Sequence, residues 1–315
     1  MYWDDKKLKE EKLVKRNRRR EVHEKKAKPR SKAWKWILNL LIFAFAGVFV
    51  YAAYHLFSDF MVYHHNRQVK NEIQEVIYQE IGEETLEYKD LVRDDGTKID
   101  ILTPLRKINP EIIGWIHIDD TTIDYPVVQG TDNDYYLNHN VYKEETICGS
   151  IFMDKDNELG QPRQNYILYG HRMNDDSMFG HVSKFLKEDF FNEHPTFTLI
   201  LEDGYYTCEV FAVYQTTTFG FQYYQNMLGS SEDQFQQFIM SCKSMSKFQR
   251  DVEITPEDTI VTLSTCDYAL DVDTGRLVLQ AKMVKQGEEE ATQEETEEAS
   301  EEDATEEDTE EESED

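Results

Sequence analysis

The strongest pattern along the chain is an apolar block over residues 36–57, 22 positions without Lys, Arg, Asp or Glu. As a helix rising about 1.5 Å per residue it is about 33 Å long, enough for a bilayer core of about 30 Å. Trp34, Trp36, Tyr51 and Tyr54 stand near its two ends, as interfacial aromatics do. A secretory leader has a shorter apolar region, about 7–15 residues, and ends in a small-residue cleavage site. Ala52-Ala53 is a poor version of such a site, so the block reads as a retained anchor. Beyond it, Val69, Ile73, Val76, Ile77 and Ile81 recur at helical spacing, which predicts a helix over 65–82. Residues 83–98 are polar and contain Asp94-Asp95-Gly96, a loop signal. A short helix is predicted over 101–108, stopped by Asn109-Pro110.

The pattern then changes to short runs rich in Val, Ile, Tyr, Phe and Thr, separated by Gly, Pro, Asn and Asp. These predict strands at 114–118, 123–129, 150–154, 166–169, 196–201, 207–215, 259–264 and 276–284. Eight strands in this span predict a mainly β fold, a closed barrel or a sandwich. Two helical inserts interrupt them, at 178–191 and 232–248. In the second, Phe235, Phe238, Ile239 and Cys242 fall at helical spacing.

Charge divides the chain further. The 315 residues carry 63 acidic and 34 basic side chains, a net of −29. Residues 1–35 hold fifteen Lys/Arg against six Asp/Glu, whereas 287–315 hold eighteen acidic residues and no basic one. The part between them carries −20, which excludes the usual nucleic-acid binder, because it repels phosphate. The basic flank includes Arg16, Arg18, Arg19, Arg20, Lys25, Lys26 and Lys28. By the positive-inside rule it stays in the cytoplasm, making a single-pass cell-membrane protein whose body lies outside. The acidic tail has no core former and reads as a disordered spacer. The plan is then a basic cytoplasmic segment (1–35), a transmembrane helix (36–57), a helical extension (58–108), a β domain (109–286) and the tail (287–315).

Candidate chemistry centres on one cysteine. Cys148, Cys208, Cys242 and Cys266 are an even set, which outside the cell permits two disulfides. No CxxC and no zinc-like Cys/His spacing occurs, so no metal and no cofactor is expected. The stretch Asp154-Lys155-Asp156-Asn157-Glu158 faintly resembles a calcium loop, but Leu159 stands where that loop needs Gly, and it reads as a turn. Cys208 and Cys242 lie on apolar faces and read as buried thiols. Cys266 instead ends an apolar strand before the polar turn 267–275. A strand end at a sheet rim both holds and exposes a reactive group. His171 follows another strand through Gly170, although a lone His there also suits a structural role. Arg276 opens the last strand, ten residues after Cys266, so two adjacent strands bring them to one rim. The bland alternative is a surface Arg paired with Asp271 or Asp273. Together the three have a chemical logic. A thiolate attacks a carbonyl, an imidazolium protonates the leaving amine, and a fixed cation steadies the oxyanion.

The run Thr262-Leu263-Ser264-Thr265-Cys266-Asp267-Tyr268, followed by Gly275-Arg276-Leu277-Val278, resembles the signature of the sortases, membrane-anchored cysteine transpeptidases of Gram-positive cell surfaces. Tyr169-Gly170-His171-Arg172-Met173 resembles their histidine segment, and Gly114-Trp115-Ile116, the stretch 123–129 and the stretch 149–154 resemble further family blocks. The anchor, the helical extension and the long insert before the cysteine strand resemble class B; the acidic tail departs from the family pattern. The resemblance implies an eight-stranded sortase-like β-barrel with an N-terminal helical extension and helical inserts, preceded by one transmembrane helix. It implies Cys266 as nucleophile, His171 as general acid and base, and Arg276 as oxyanion stabiliser. Thr265 and Ser264 would line the peptide groove through their backbone, and Asp267 would contribute in a minor way. The implied partner is the C-terminal sorting signal of a secreted protein, LPxTG-like, or NPxTN- or NPxTG-like in class B. It is cleaved at its Thr carbonyl through a thioester, and the acyl group passes to a cell-wall precursor amine. The alternatives are a pilin-polymerising enzyme that uses a pilin Lys, and a tethered binding ectodomain without activity.

Overall fold

The computed structural model describes Lys7 and residues 9–16, 32–81 and 99–286. The expected loop at 83–98, the acidic tail and most of the basic segment lie outside these residues. The chain divides into two units, Met1–Phe60 and Met61–Asp315. Helix α1 runs unbroken over Lys32–Ile81, so the two helices predicted at 36–57 and 65–82 are one. Nothing between them breaks it, because residues 58–64 contain neither Gly nor Pro. It is long and apolar enough to cross a membrane. In the first unit its apolar side chains stand uncovered, Phe43 at 76% and Val48 at 65% exposure.

In the second unit, helix α2 (Leu102–Ile108) leads into strands β1 (Ile112–His117), β2 (Asp124–Val128), β3 (Ile151–Met153) and β4 (Asn165–Tyr169). A 3-10 helix (Gly180–Leu186) and α3 (Glu188–Glu193) precede β5 (Thr196–Leu201) and β6 (Gly204–Thr217). Helix α4 (Glu232–Met245), β7 (Thr259–Cys266) and β8 (Gly275–Lys285) complete it. All eight predicted strands are present. They close into a barrel in the order β1-β2-β3-β4-β7-β8-β6-β5, which leaves no open edge. The pairs β2–β3 and β4–β7 are parallel, and the other pairs are antiparallel. The insert predicted over 178–191 is two short helices, because Lys187 turns extended between them. Helix α4 begins with a capping box, Ser231 with Gln234, and ends at Met245, where Ser246 turns extended.

Alternation along each strand separates interior from exterior. Val261 and Leu263 of β7, Leu277, Leu279 and Ala281 of β8, and Tyr166 and Leu168 of β4 point into the barrel and are buried in one cluster. Each Val or Leu among them contributes about 1.5–3 kcal/mol by leaving water. Two flanks of the outer surface are also covered. Val69, Ile73 and Ile77 of α1 pack with α2 over Ile112, Trp115, Val128 and Phe152. Phe235, Phe238 and Ile239 of α4 cover Ala212, Tyr214, Ile260 and Val278. Tyr169 packs at the margin of the first cover and Tyr223 belongs to the second. The outer face of the β4 and β7 ends lies between them.

Candidate active site

Cys266 is the last residue of β7, and the alternation that points Leu263 inward points Ser264 and Cys266 outward. Across the antiparallel β7–β8 pair, Cys266 faces Arg276 directly. Opposed residues on one face keep their Cβ atoms about 4.5–5.5 Å apart. On the other side, β4 runs parallel to β7 with Tyr169 beside Ser264, and Gly170 N–H donates to the Ser264 carbonyl at 3.3 Å. His171 therefore leaves β4 at the end of the barrel where Cys266 ends β7. Three neighbouring strands bring His171, Cys266 and Arg276 to one rim, on the outside of the barrel.

Two glycines make this rim possible. A Cβ on Gly170 would lie 2.7 Å from the Phe179 ring. On Gly275 it would lie 2.2 Å from the Asp267 carbonyl oxygen, closer than any side chain tolerates. The turn between β7 and β8 is closed by Asp267 N–H donating to Gly275 O at 2.9 Å. Asp271 caps that turn, accepting Thr274 N–H at 2.7 Å. Arg276 forms no salt bridge with Asp271 or Asp273. Its Nη1 donates to the carbonyls of Gly275 at 2.8 Å and Asp273 at 3.5 Å. Its charge thus stays available beside the thiol.

His171 Nε2 lies 2.8 Å from the carbonyl oxygen of Leu137. A carbonyl only accepts, so Nε2 carries the hydrogen, and in the neutral ring Nδ1 is the basic nitrogen. Leu137 ends a 3-10 helix, Tyr135–Leu137, whose carbonyls rest against Gly149 at φ +57°. Among the described residues no hydrogen bond joins His171 to Cys266. Such bonds are often long before substrate tightens the site.

Ser264 and Thr265 are each 3% exposed. The Ser264 hydroxyl shares a 2.8 Å hydrogen bond with the Tyr223 hydroxyl, while Thr265 points into the barrel, its Oγ1 buried without a partner. Neither hydroxyl is presented to a ligand, and the Ser264 carbonyl is taken by Gly170. Asp267 is buried too, held by Arg172 and Gln215. Tyr268, half exposed in the turn, has its phenol beside the Cys266 thiol; burial first and that thiol second push its pKa up. Leu137, Arg172, Gln215 and Tyr268 had not been singled out from sequence. Arg172 had a signal in its place next to His171; a backbone carbonyl has none.

The other cysteines are unlike Cys266. All four are free thiols, so neither permitted disulfide forms, and only Cys266 is less than fully buried. Burial pushes Cys148 to about 11 and Cys242 to about 12, and raises Cys208 well above its ordinary value. The stretch after Asp154 is a turn, with Asn157 N–H donating to the Asp154 carbonyl at 3.1 Å. A groove of about 970 Å³ runs from Tyr169 past Asn133, Asp154, Phe221 and Tyr224 along α4. Cys266, His171 and Arg276 are not among the residues that line it.

The sortase domain family model matches residues 116–284. Sortase B of Listeria monocytogenes is 37% identical over 238 residues, 76% of this chain and 93% of that protein. Sortase B of Staphylococcus aureus is 40% identical over 181 residues, 58% of this chain and 73% of that protein. A crystal structure of sortase B from Bacillus anthracis in complex with AAEK1 has a TM-score of 0.61 at 42% identity, covering 72% of this chain and 100% of that one. A Staphylococcus aureus sortase B–substrate complex has a TM-score of 0.62 at 34% identity, with the same coverage of 72% and 100%. A likeness that extends over 93% of the Listeria monocytogenes protein and all of the Bacillus anthracis chain shows that the chain belongs to the sortase family of cysteine transpeptidases, in class B.

Proposed function

We propose that Cys266, His171 and Arg276 carry out this transpeptidation on a C-terminal sorting signal and deliver the product to a cell-wall precursor. The signal lies extended in the groove beside Tyr169, with its Thr carbonyl over Cys266. His171 Nδ1 takes the thiol proton, and Sγ attacks the carbonyl carbon. The oxyanion that forms faces the Arg276 guanidinium, whose fork of N–H donors suits that role. His171 then gives its proton to the departing amine, the C–N bond breaks and a thioester remains. An acceptor amine attacks that thioester, loses its proton to His171, and the thiol is restored by the same proton. The backbones of Ser264 and Thr265 flank the bound Thr.

One observation carries this reading: Arg276 stands opposite Cys266 in register, with His171 at the end of the adjacent parallel strand. In this reading residues 1–35 stay in the cytoplasm, 36–57 cross the membrane, 58–108 link the anchor to the barrel and 109–286 do the chemistry outside. The test is incubation of the full chain, in detergent micelles, with LPxTG-, NPxTN- and NPxTG-type peptides, read by mass spectrometry. A mass increase equal to the acyl fragment on Cys266, absent in Cys266→Ala, is expected. Turnover retained by Cys266→Ala would refute it. Adding either a cell-wall peptide amine or a lysine-bearing pilin peptide identifies the acceptor; preference for the latter replaces the cell-wall assignment with polymerisation.

A further inference from the structure

Cys266 and His171 are each followed by a charged residue, Asp267 and Arg172, and these two meet. Arg172 Nη1 donates to Asp267 Oδ1 at 3.1 Å, with the Asp267 side chain 1% exposed and that of Arg172 28%. The rest of the carboxylate is also committed. Oδ1 accepts Ala269 N–H at 3.2 Å, and Oδ2 accepts the side-chain amide of Gln215 from β6. The backbone N–H of Asp267 closes on Gly275 at the start of β8. One buried carboxylate therefore ties together the rim ends of β4, β6 and β7, and its backbone adds β8.

An acid beside the cysteine invites a direct role in orienting the imidazole. The contacts oppose that role. The imidazole Nε2 is held by the Leu137 carbonyl, and both carboxylate oxygens are occupied by Arg172, Gln215 and the turn. The strand ladder supplies a different reason for the ion pair. The last backbone bond from β4 to β7 is the 3.3 Å contact of Gly170 with Ser264, one residue short of His171. Beyond it, β4 turns away, with Phe179 N–H donating to the His171 carbonyl at 2.9 Å. The Arg172–Asp267 pair is the cross-strand tie just past that point.

We infer that Arg172 and Asp267 are positioning residues, an ion pair between a buried carboxylate and a half-buried guanidinium that sets the spacing of His171 and Cys266 across β4 and β7. The inference deepens the proposed reaction and rests on it. Removing either partner leaves an uncompensated charge or an empty polar site, and the strand ends shift. A displacement of about 1 Å at a reacting pair costs roughly 100-fold in rate.

The test uses the full chain in micelles with Asp267→Asn, Arg172→Gln, their double variant and Arg172→Lys. One readout is kcat and KM for a sorting peptide. The other is the pH profile of Cys266 alkylation by iodoacetamide, located by peptide mapping, which needs no peptide substrate. Each single charge-removing variant is expected to lose roughly 10- to 100-fold in kcat with KM within about twofold. Each also displaces the alkylation profile, the double variant is no worse than the poorer single, and Arg172→Lys recovers part of the rate. A lower melting temperature with kcat per folded molecule and profile unchanged would overturn the inference. So would an inactive Asp267→Asn beside a fully active Arg172→Gln, because Asp267 would then act on the chemistry itself. If Asp267→Asn does not fold, Arg172→Gln decides alone, and wild-type kcat and profile in it refute the pair. A wild-type chain that alkylates at Cys266 but turns over no sorting peptide refutes the proposed reaction instead, and the alkylation profiles still decide the positioning role.

Discussion

The imidazole of His171 is oriented by a backbone carbonyl: its Nε2 lies 2.8 Å from the oxygen of Leu137. The site therefore fixes its tautomer without spending a side chain. The position of that carbonyl depends in turn on Gly149, where a Cβ would lie 2.6 Å from the oxygens of both Tyr136 and Leu137.

Gly149→Ala is accordingly expected to damage catalysis through a residue some distance along the chain. Its φ of +57° also disfavours any L side chain. A loss of roughly 10-fold or more in kcat is expected, together with about 1–3 kcal/mol of stability. Steady-state kinetics and urea unfolding on the same preparation check both parts.

Burial predicts a sharp division among the cysteines. In the native chain at pH 8, a maleimide should label Cys266 within minutes and leave Cys148, Cys208 and Cys242 unmodified. In denaturant all four should label. Intact-mass measurement counts the labels, and fast native labelling at Cys242, whose thiol burial raises to about 12, would contradict the packing of α4.

His117 gives the barrel a pH-dependent contact. Its burial lowers the pKa, but Asp124 at 3.1 Å and Asp119 at 3.0 Å outweigh that and raise it overall. A raised folded pKa stabilises fully below the unfolded value and is lost as pH rises through the folded one. The stability advantage of wild type over His117→Gln should therefore be larger at pH 5.5 than at pH 8.5. Thermal melts at the two pH values measure it; an advantage that grows with pH would refute the assignment.

Helix α4 covers β6, β7 and β8, and its first turn depends on the Ser231–Gln234 capping box. Ser231→Ala should cost about 1 kcal/mol, read as a lower urea midpoint with unchanged slope.

Much of this was legible in the sequence because the barrel is built by a rule of period two. Val261 and Leu263 alternate with Thr262 and Ser264, and no other element pattern fits that spacing. Cys266 was legible for a related reason, since an apolar strand ended there and a polar turn began. The strand pattern alone left a barrel and a sandwich both open, because closure depends on β1 pairing with β5 and no local signal encodes a pairing across that separation; the family resemblance supplied the barrel. The merging of two predicted helices into α1 was missed because polar residues at 58–59 look like an exit from the membrane, yet contain nothing that stops a helix. The Leu137 carbonyl was out of reach in principle, because every residue has one. Asp267 was noticed for its neighbour, but its role depends on Arg172 and Gln215, which only the folded rim brings to it.

Along β7 and β8 the parity of the residue number separates two tasks. Even positions, from Ile260 to Cys266 and from Arg276 to Lys282, face outward, whereas odd ones fill the barrel. Substrate thus never has to enter the barrel, and of the outward set Ile260 and Val278 hold α4 while Cys266 and Arg276 reach the rim. The same arrangement makes the cysteine strand intolerant of frame errors. Deleting one residue between Thr259 and Leu263 would turn the thiol into the core and Leu263 to the outer face, so such deletions should be far rarer in functional libraries than substitutions at the same sites.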